Sequence, residues 1–122
     1  MLETKITQME GYFAQQIAQT KAREQALAVD ERQDEAVFEK VRGNVFDIFA
    51  TVFSAARKAC REESAMVDFF REKLTRIPQN WQDSLEKARA HDETEKAHLE
   101  TIKLEAAARI RTKFAEIWGC TP

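Results

Sequence analysis

The sequence predicts an all-α fold, an antiparallel bundle of three long helices in one domain spanning residues 1–122. The chain holds only 3 Gly and 2 Pro, too few turn-forming residues for the many reversals of a β-sandwich or barrel. Apolar residues recur at steps of three and four along most of the chain, which is the period of an amphipathic helix. With 43% apolar and 33% charged residues, the composition is that of a folded domain.

The first helix is predicted from about Leu2 to Val29. Its apolar stripe consists of Leu2, Ile6, Met9, Phe13, Ile17 and Leu27. The polar residues 30–34 interrupt this stripe, and either Asp30 or Asp34 is a suitable N-cap for the helix that follows.

The second helix is predicted from Asp34 to a turn at residues 78–80, because a proline disfavours helical backbone at the residue before it. An apolar stripe opens this helix, and a second, parallel stripe widens its apolar face, so we expect it to be the central helix with more than one neighbour. The first stripe consists of Phe38, Val41, Val45, Ile48 and Val52. Residues 62–64 are polar and leave two arrangements open. The helix either runs unbroken or breaks near Ser64, in which case residues 64–76 fold back over the bundle as a fourth helix.

The third helix is predicted from Trp81 to Trp118, closed by Gly119 as its C-terminal cap residue. Its apolar stripe is interrupted by a polar gap at residues 91–98.

The helix lengths predict a homodimer. At 1.5 Å per residue the first helix is about 40 Å long and an unbroken second helix is about 64 Å long. Helices two and three would then project together as a hairpin whose large apolar side chains need cover from outside. A second copy related by two-fold symmetry would provide it. The predicted interface, for the homodimer or for a protein partner, is Phe69, Phe70, Leu74, Ile77, Trp81 and Leu85.

The polar gap also suggests a metal site. Glu95 and His98 have the Glu-x-x-His spacing of di-iron carboxylate bundles, and His91 lies on the same helix face. Glu63, on the facing helix, would add a carboxylate, so that a homodimer could hold a divalent metal such as iron, manganese or zinc. The competing interpretation, which we favour, is a solvated helix face held by surface ion pairs.

Charge and termini restrict the partners. The formal net charge is −2 with both signs interleaved, so we expect no nucleic-acid binding. The N-terminus lacks the features of a signal peptide and no apolar run reaches the length of a membrane span, so we expect a cytoplasmic protein without membrane contact. Cys60 and Cys120 are expected to form no disulfide, because the three-helix arrangement separates them by tens of ångströms.

These observations predict a non-enzymatic helical bundle that acts through self-association and protein–protein interaction, as an adaptor or a chaperone-like protein. The sequence contains no glycine-rich phosphate loop, no nucleophile elbow and no Cys-x-x-Cys pair. The alternative function is the carboxylate–histidine metal bundle formed across a homodimer.

Overall fold

The computed structural model describes residues 2–119 and folds them into four helices joined by connections of three residues. The helices are α1 (Leu2–Val29), α2 (Gln33–Ala59), α3 (Glu63–Ala90) and α4 (Thr94–Trp118). Each contains 25 to 28 residues, which makes it about 38–42 Å long. The predicted all-α class and the bounds of the first helix are confirmed, whereas the prediction of three long helices is wrong.

The predicted second helix ends at Ala59 instead of continuing to the proline. Cys60 and Glu62 have extended backbone, and α3 begins at Glu63. Arg61 and Glu62 are polar and exposed, so a break in the helix here costs no apolar burial. The reversal in turn packs the apolar side chains of α3 against the other helices. The alternative with a break near Ser64 and a returning fourth helix is therefore closer to the structure, although the break lies at residues 60–62 and the returning helix continues to Ala90 instead of ending at residue 76.

The turn predicted at residues 78–80 is absent, because α3 continues through Pro78 to Ala90. A proline inside a helix has no N–H to donate to the carbonyl four residues earlier, here that of Leu74. Arg111 of α4 donates to this carbonyl instead, with 2.9 Å between Nη2 and O. Pro78 is itself buried, so packing and a substitute hydrogen bond together keep the helix continuous.

The predicted third helix is divided at residues 91–93, inside the polar gap. Asp92 adopts the left-handed conformation with φ 55°. The N–H of Glu93 bonds to the carbonyl of Ala88 at 2.8 Å and that of Asp92 to Arg89 at 3.2 Å, which is the Schellman pattern of a helix end. The polar gap thus marks a reversal of the chain rather than a solvated stretch of one helix.

An aromatic core fills the half of the bundle where α1 begins and α4 ends. Phe70 of α3 is its centre, completely buried and in contact with rings from the other three helices. Its nearest ring neighbours are Phe114 of α4, at 4.9 Å between centroids, and Phe53 of α2, at 5.3 Å. One side chain of α3 therefore joins all four helices.

The second half of α1 packs on α2 through small side chains. Thr20 is the last buried residue of α1, and its hydroxyl donates within the helix to the carbonyls of Gln16 and Ile17, each at 3.0 Å. Gly43 of α2 lies directly opposite: a Cβ at this position would be 2.6 Å from the Thr20 hydroxyl oxygen. The close approach of α1 and α2 thus requires glycine at position 43.

The predicted separation of the cysteines rested on the three-helix arrangement. In the four-helix bundle α4 ends beside the start of α3, as the hydrogen bond of 3.1 Å from Trp118 to Glu63 shows. The three-helix arrangement, from which the large separation of the cysteines was predicted, is therefore not the fold of this chain. Cys60 is half-buried with a free thiol, and Cys120 lies outside the described residues.

Candidate functional site

The six residues predicted for an intermolecular interface lie inside or against the core of one chain. Three of them are buried: Phe70, Leu74 and Leu85. The other three are half-buried and pack against the core: Phe69, Ile77 and Trp81. The Trp81 ring, for example, meets Phe49 of α2 edge-on at 6.2 Å. The prediction assumed a projecting hairpin, and since the chain reverses after Ala59, α2 and α4 cover the apolar face of α3 instead.

Glu63 lies at the opposite end of the bundle from the other predicted metal ligands. It is the first residue of α3, whereas His91 is the residue that caps the end of this 28-residue helix, about 42 Å away. One Glu63 carboxylate oxygen accepts hydrogen bonds from Trp118 Nε1 at 3.1 Å and Lys5 Nζ at 3.5 Å. Glu63 thus links α1, α3 and α4 where the three helices meet.

The remaining predicted ligands, His91, Glu95 and His98, are all exposed and have separate surroundings. The Nδ1–H of His91 donates to the carbonyl of Lys87 at 2.8 Å, and the His98 ring packs edge-on against Phe38 at 4.5 Å. Between Leu2 and Gly119, no group of three or more His, Cys, Asp or Glu side chains is placed to hold a metal ion. Within one chain the geometry therefore does not bring the predicted ligands together, and the arrangement across a homodimer stays a prediction.

An apolar strip on the outer surface of α2 is the feature with the clearest functional meaning. We define the α2 strip as Val37, Val41, Ile48 and Val52; Val41 and Val52 are half-buried, and Val52 also packs against the core. At about 100° per residue, these four side chains fall within an arc of about 60°. Val37 is 47% exposed and Ile48 is 41% exposed, and both are among the few large apolar side chains so open to solvent in the described chain.

The apolar periodicity of the sequence includes most of this strip, but periodicity alone predicts that these residues are buried in the core. Val41, Ile48 and Val52 belong to the stripe that predicted a central helix with several neighbours. In the structure α1, α3 and α4 all contact α2, yet together they cover only part of its apolar arc. Spacing shows which residues share a face of a helix, but not whether the bundle supplies a neighbour for that face.

Two opposite charges border the α2 strip. Lys40 and Asp47 are exposed, stand two helical turns apart and line a groove between α1 and α2 together with Asn44. Neither side chain forms an ion pair within residues 2–119. This edge of the strip thus carries a positive and a negative group available to another molecule.

A second groove, of about 520 Å³, lies between α1 and α4. Its main aromatic group is the half-buried Tyr12, with Lys113 Nζ 5.6 Å from the centre of the ring. Burial raises the pKa of Tyr12, while Arg109 acts in the opposite direction and Glu116 adds to the increase. Acidic and basic side chains both line the groove, so it has no clear preference for a charged ligand.

Comparison with known proteins does not identify a relative. No protein-family model, no curated protein and no solved structure matches this chain. None of the helices in the described part of the chain is both long enough and apolar enough to cross a membrane. The surface of the bundle itself is therefore the guide to function.

Proposed function

We propose that this protein is a non-catalytic helical bundle that acts by self-association and by contacts with other proteins, as an adaptor or a chaperone-like protein. The observation that supports it is the α2 strip, with Val37 and Ile48 open to solvent. Fully burying a Val or Ile side chain contributes about 1.5–3 kcal/mol. Val37 and Ile48 are each a little under half exposed, so a partner helix that covers them gains about half of that per residue. Apolar residues on one helix face are also how amphipathic helices recognise each other.

The proposed contact differs from the one that the sequence predicts. The core already uses Phe70, Leu74 and Leu85, so they are not available to a second chain without unfolding the first. Val37 and Ile48 of the α2 strip are exposed in the folded bundle, so a partner can reach them without rearrangement. Homodimerisation and partner binding are thus proposed through α2, at a surface that only the four-helix arrangement leaves open.

Light scattering across a concentration series tests the self-association. We expect the wild-type mass to rise from 14.1 kDa toward twice that value, and Ile48→Asp to remain monomeric. Thr51→Asp is the matched control, since it places the same charge on an exposed polar position of the same helix. A wild-type protein that stays monomeric up to about 1 mM, where even a weak association would be detected, contradicts the proposal.

A further inference from the structure

The α2 strip is symmetric about its own midpoint. The residue pairs Val37–Val52 and Val41–Ile48 share one centre, between Asn44 and Val45. When two identical helices pack antiparallel about a two-fold axis, each residue meets the one at the same distance on the other side of the centre. Two copies of the strip aligned in this way place every apolar side chain against another apolar side chain.

The charges beside the strip have nearly the same centre. Lys40 and Asp47 are symmetric about a point between Gly43 and Asn44, one residue or about 1.5 Å from the centre of the apolar pairs. A two-fold axis across the helices brings the same edge of each strip together. Lys40 of each copy would therefore lie beside Asp47 of the other, giving two equivalent ion pairs.

We propose that two copies of this chain dimerise through their α2 strips, with the helices antiparallel and the two-fold axis passing near Asn44. This inference rests on the proposed self-association and adds the partner, the surface and the register. A second copy of this chain is the partner that matches both the apolar residues and the charges of the strip. A parallel arrangement has its two-fold axis along the helices and brings opposite edges of the two strips together, so Lys40 and Asp47 of one copy could not pair with those of the other.

Disulfide cross-linking tests the register. In a Cys60→Ser, Cys120→Ser background, Asn44→Cys places the two new thiols close to the axis, and we expect a covalent dimer on mild oxidation. Thr51→Cys is the matched control: it is exposed on the same side of α2, but antiparallel packing separates the two copies of residue 51 by about 20 Å along the helices. A disulfide needs Cα atoms within about 7 Å, so this variant should stay uncross-linked.

The outcomes separate the register from the proposed function. Cross-linking of Thr51→Cys as readily as Asn44→Cys overturns the antiparallel register. If neither variant cross-links although the Cys60→Ser, Cys120→Ser protein still dimerises in light scattering, the proposed α2 interface is wrong and self-association stands. If the Cys60→Ser, Cys120→Ser protein and the wild-type protein are both monomeric, the proposed function is overturned as well.

Charge reversal provides an independent test. Lys40→Glu or Asp47→Lys alone makes two like-charged contacts in the proposed dimer, and we expect each to raise the dimer dissociation constant about tenfold. The double variant Lys40→Glu, Asp47→Lys restores both pairs with their signs exchanged and should recover most of the affinity. Additive losses in the double variant would overturn the pairing of these residues.

Discussion

The guanidinium group of Arg111 replaces a hydrogen bond that Pro78 removes from the carbonyl of Leu74. The donor belongs to α4 and the acceptor to α3, and the distance between Nη2 and O is 2.9 Å. Leu74 is buried, so a carbonyl left without a donor would cost about 1–3 kcal/mol. One tertiary contact thus stabilises a helix that its local sequence tends to interrupt.

A double-mutant cycle measures this contact. Arg111→Met keeps much of the aliphatic stem but removes the donor, and we expect the free energy of unfolding to fall by about 1–2 kcal/mol. In a Pro78→Ala background residue 78 supplies its own N–H, so the same substitution should cost far less. Urea denaturation of the four proteins provides the energies. Equal costs in both backgrounds would show that Arg111 does not act through Leu74.

Gly43 and Gly11 should respond to alanine in opposite directions. Gly43→Ala places a Cβ 2.6 Å from the Thr20 hydroxyl oxygen, and we expect a loss of about 1–2 kcal/mol from overpacking. Gly11→Ala has nothing within 4 Å of the new Cβ and should add up to about 1 kcal/mol through helix propensity.

Thermal unfolding of both alanine variants checks these signs. Adding Thr20→Ala to Gly43→Ala should recover part of the loss, because the clashing oxygen is gone. A Gly43→Ala protein more stable than the wild type would mean that α1 and α2 separate without cost.

Glu31 is a residue whose backbone should favour glycine. It ends α1 in the left-handed conformation, with φ 60°, which costs a residue with a Cβ about 1–2 kcal/mol. We expect Glu31→Gly to raise the free energy of unfolding by up to about 1 kcal/mol, because the flexibility of glycine in the unfolded chain offsets part of the gain. Glu31→Ala, which keeps the Cβ, serves as the control and should change stability little.

Phe70 and its neighbour Phe69 should differ sharply in their contribution to stability. Phe70 is 0% exposed and contacts rings from all three other helices, so Phe70→Ala should cost about 3–5 kcal/mol. Phe69 is only half-buried, and its alanine variant should cost less than half as much. Circular dichroism during denaturation measures both. Similar costs would contradict the central position of Phe70.

The first helix was predictable because its periodic apolar stripe ends at a run of polar residues. The stripe from Leu2 to Leu27 predicted α1 at its observed bounds, and Gly119 closes α4 with φ 67° as expected. The reversal at residues 91–93 was visible only as a polar gap, because its left-handed residue is Asp92 rather than a glycine. Left-handed residues other than glycine are uncommon, so such a turn carries a weak local signal.

The candidate surface was the least predictable feature. Ile48 and Phe49 are adjacent, and both are large and apolar, yet Ile48 is 41% exposed and Phe49 is completely buried. The periodicity of α2 placed them on neighbouring parts of one apolar face. Only the positions of α1, α3 and α4 decide which of the two is covered.

The amino-acid sequence by itself determined that this protein is helical, because helical periodicity and the scarcity of turn residues are local properties. The tertiary structure decided the number of helices, the continuity of α3 through Pro78 and the exposure of the α2 strip. The physical reason is one of magnitude. Most local preferences are about 1 kcal/mol or less, and even the larger penalty of about 3 kcal/mol for a proline inside a helix is offset by burial of several large side chains and a hydrogen bond from another helix.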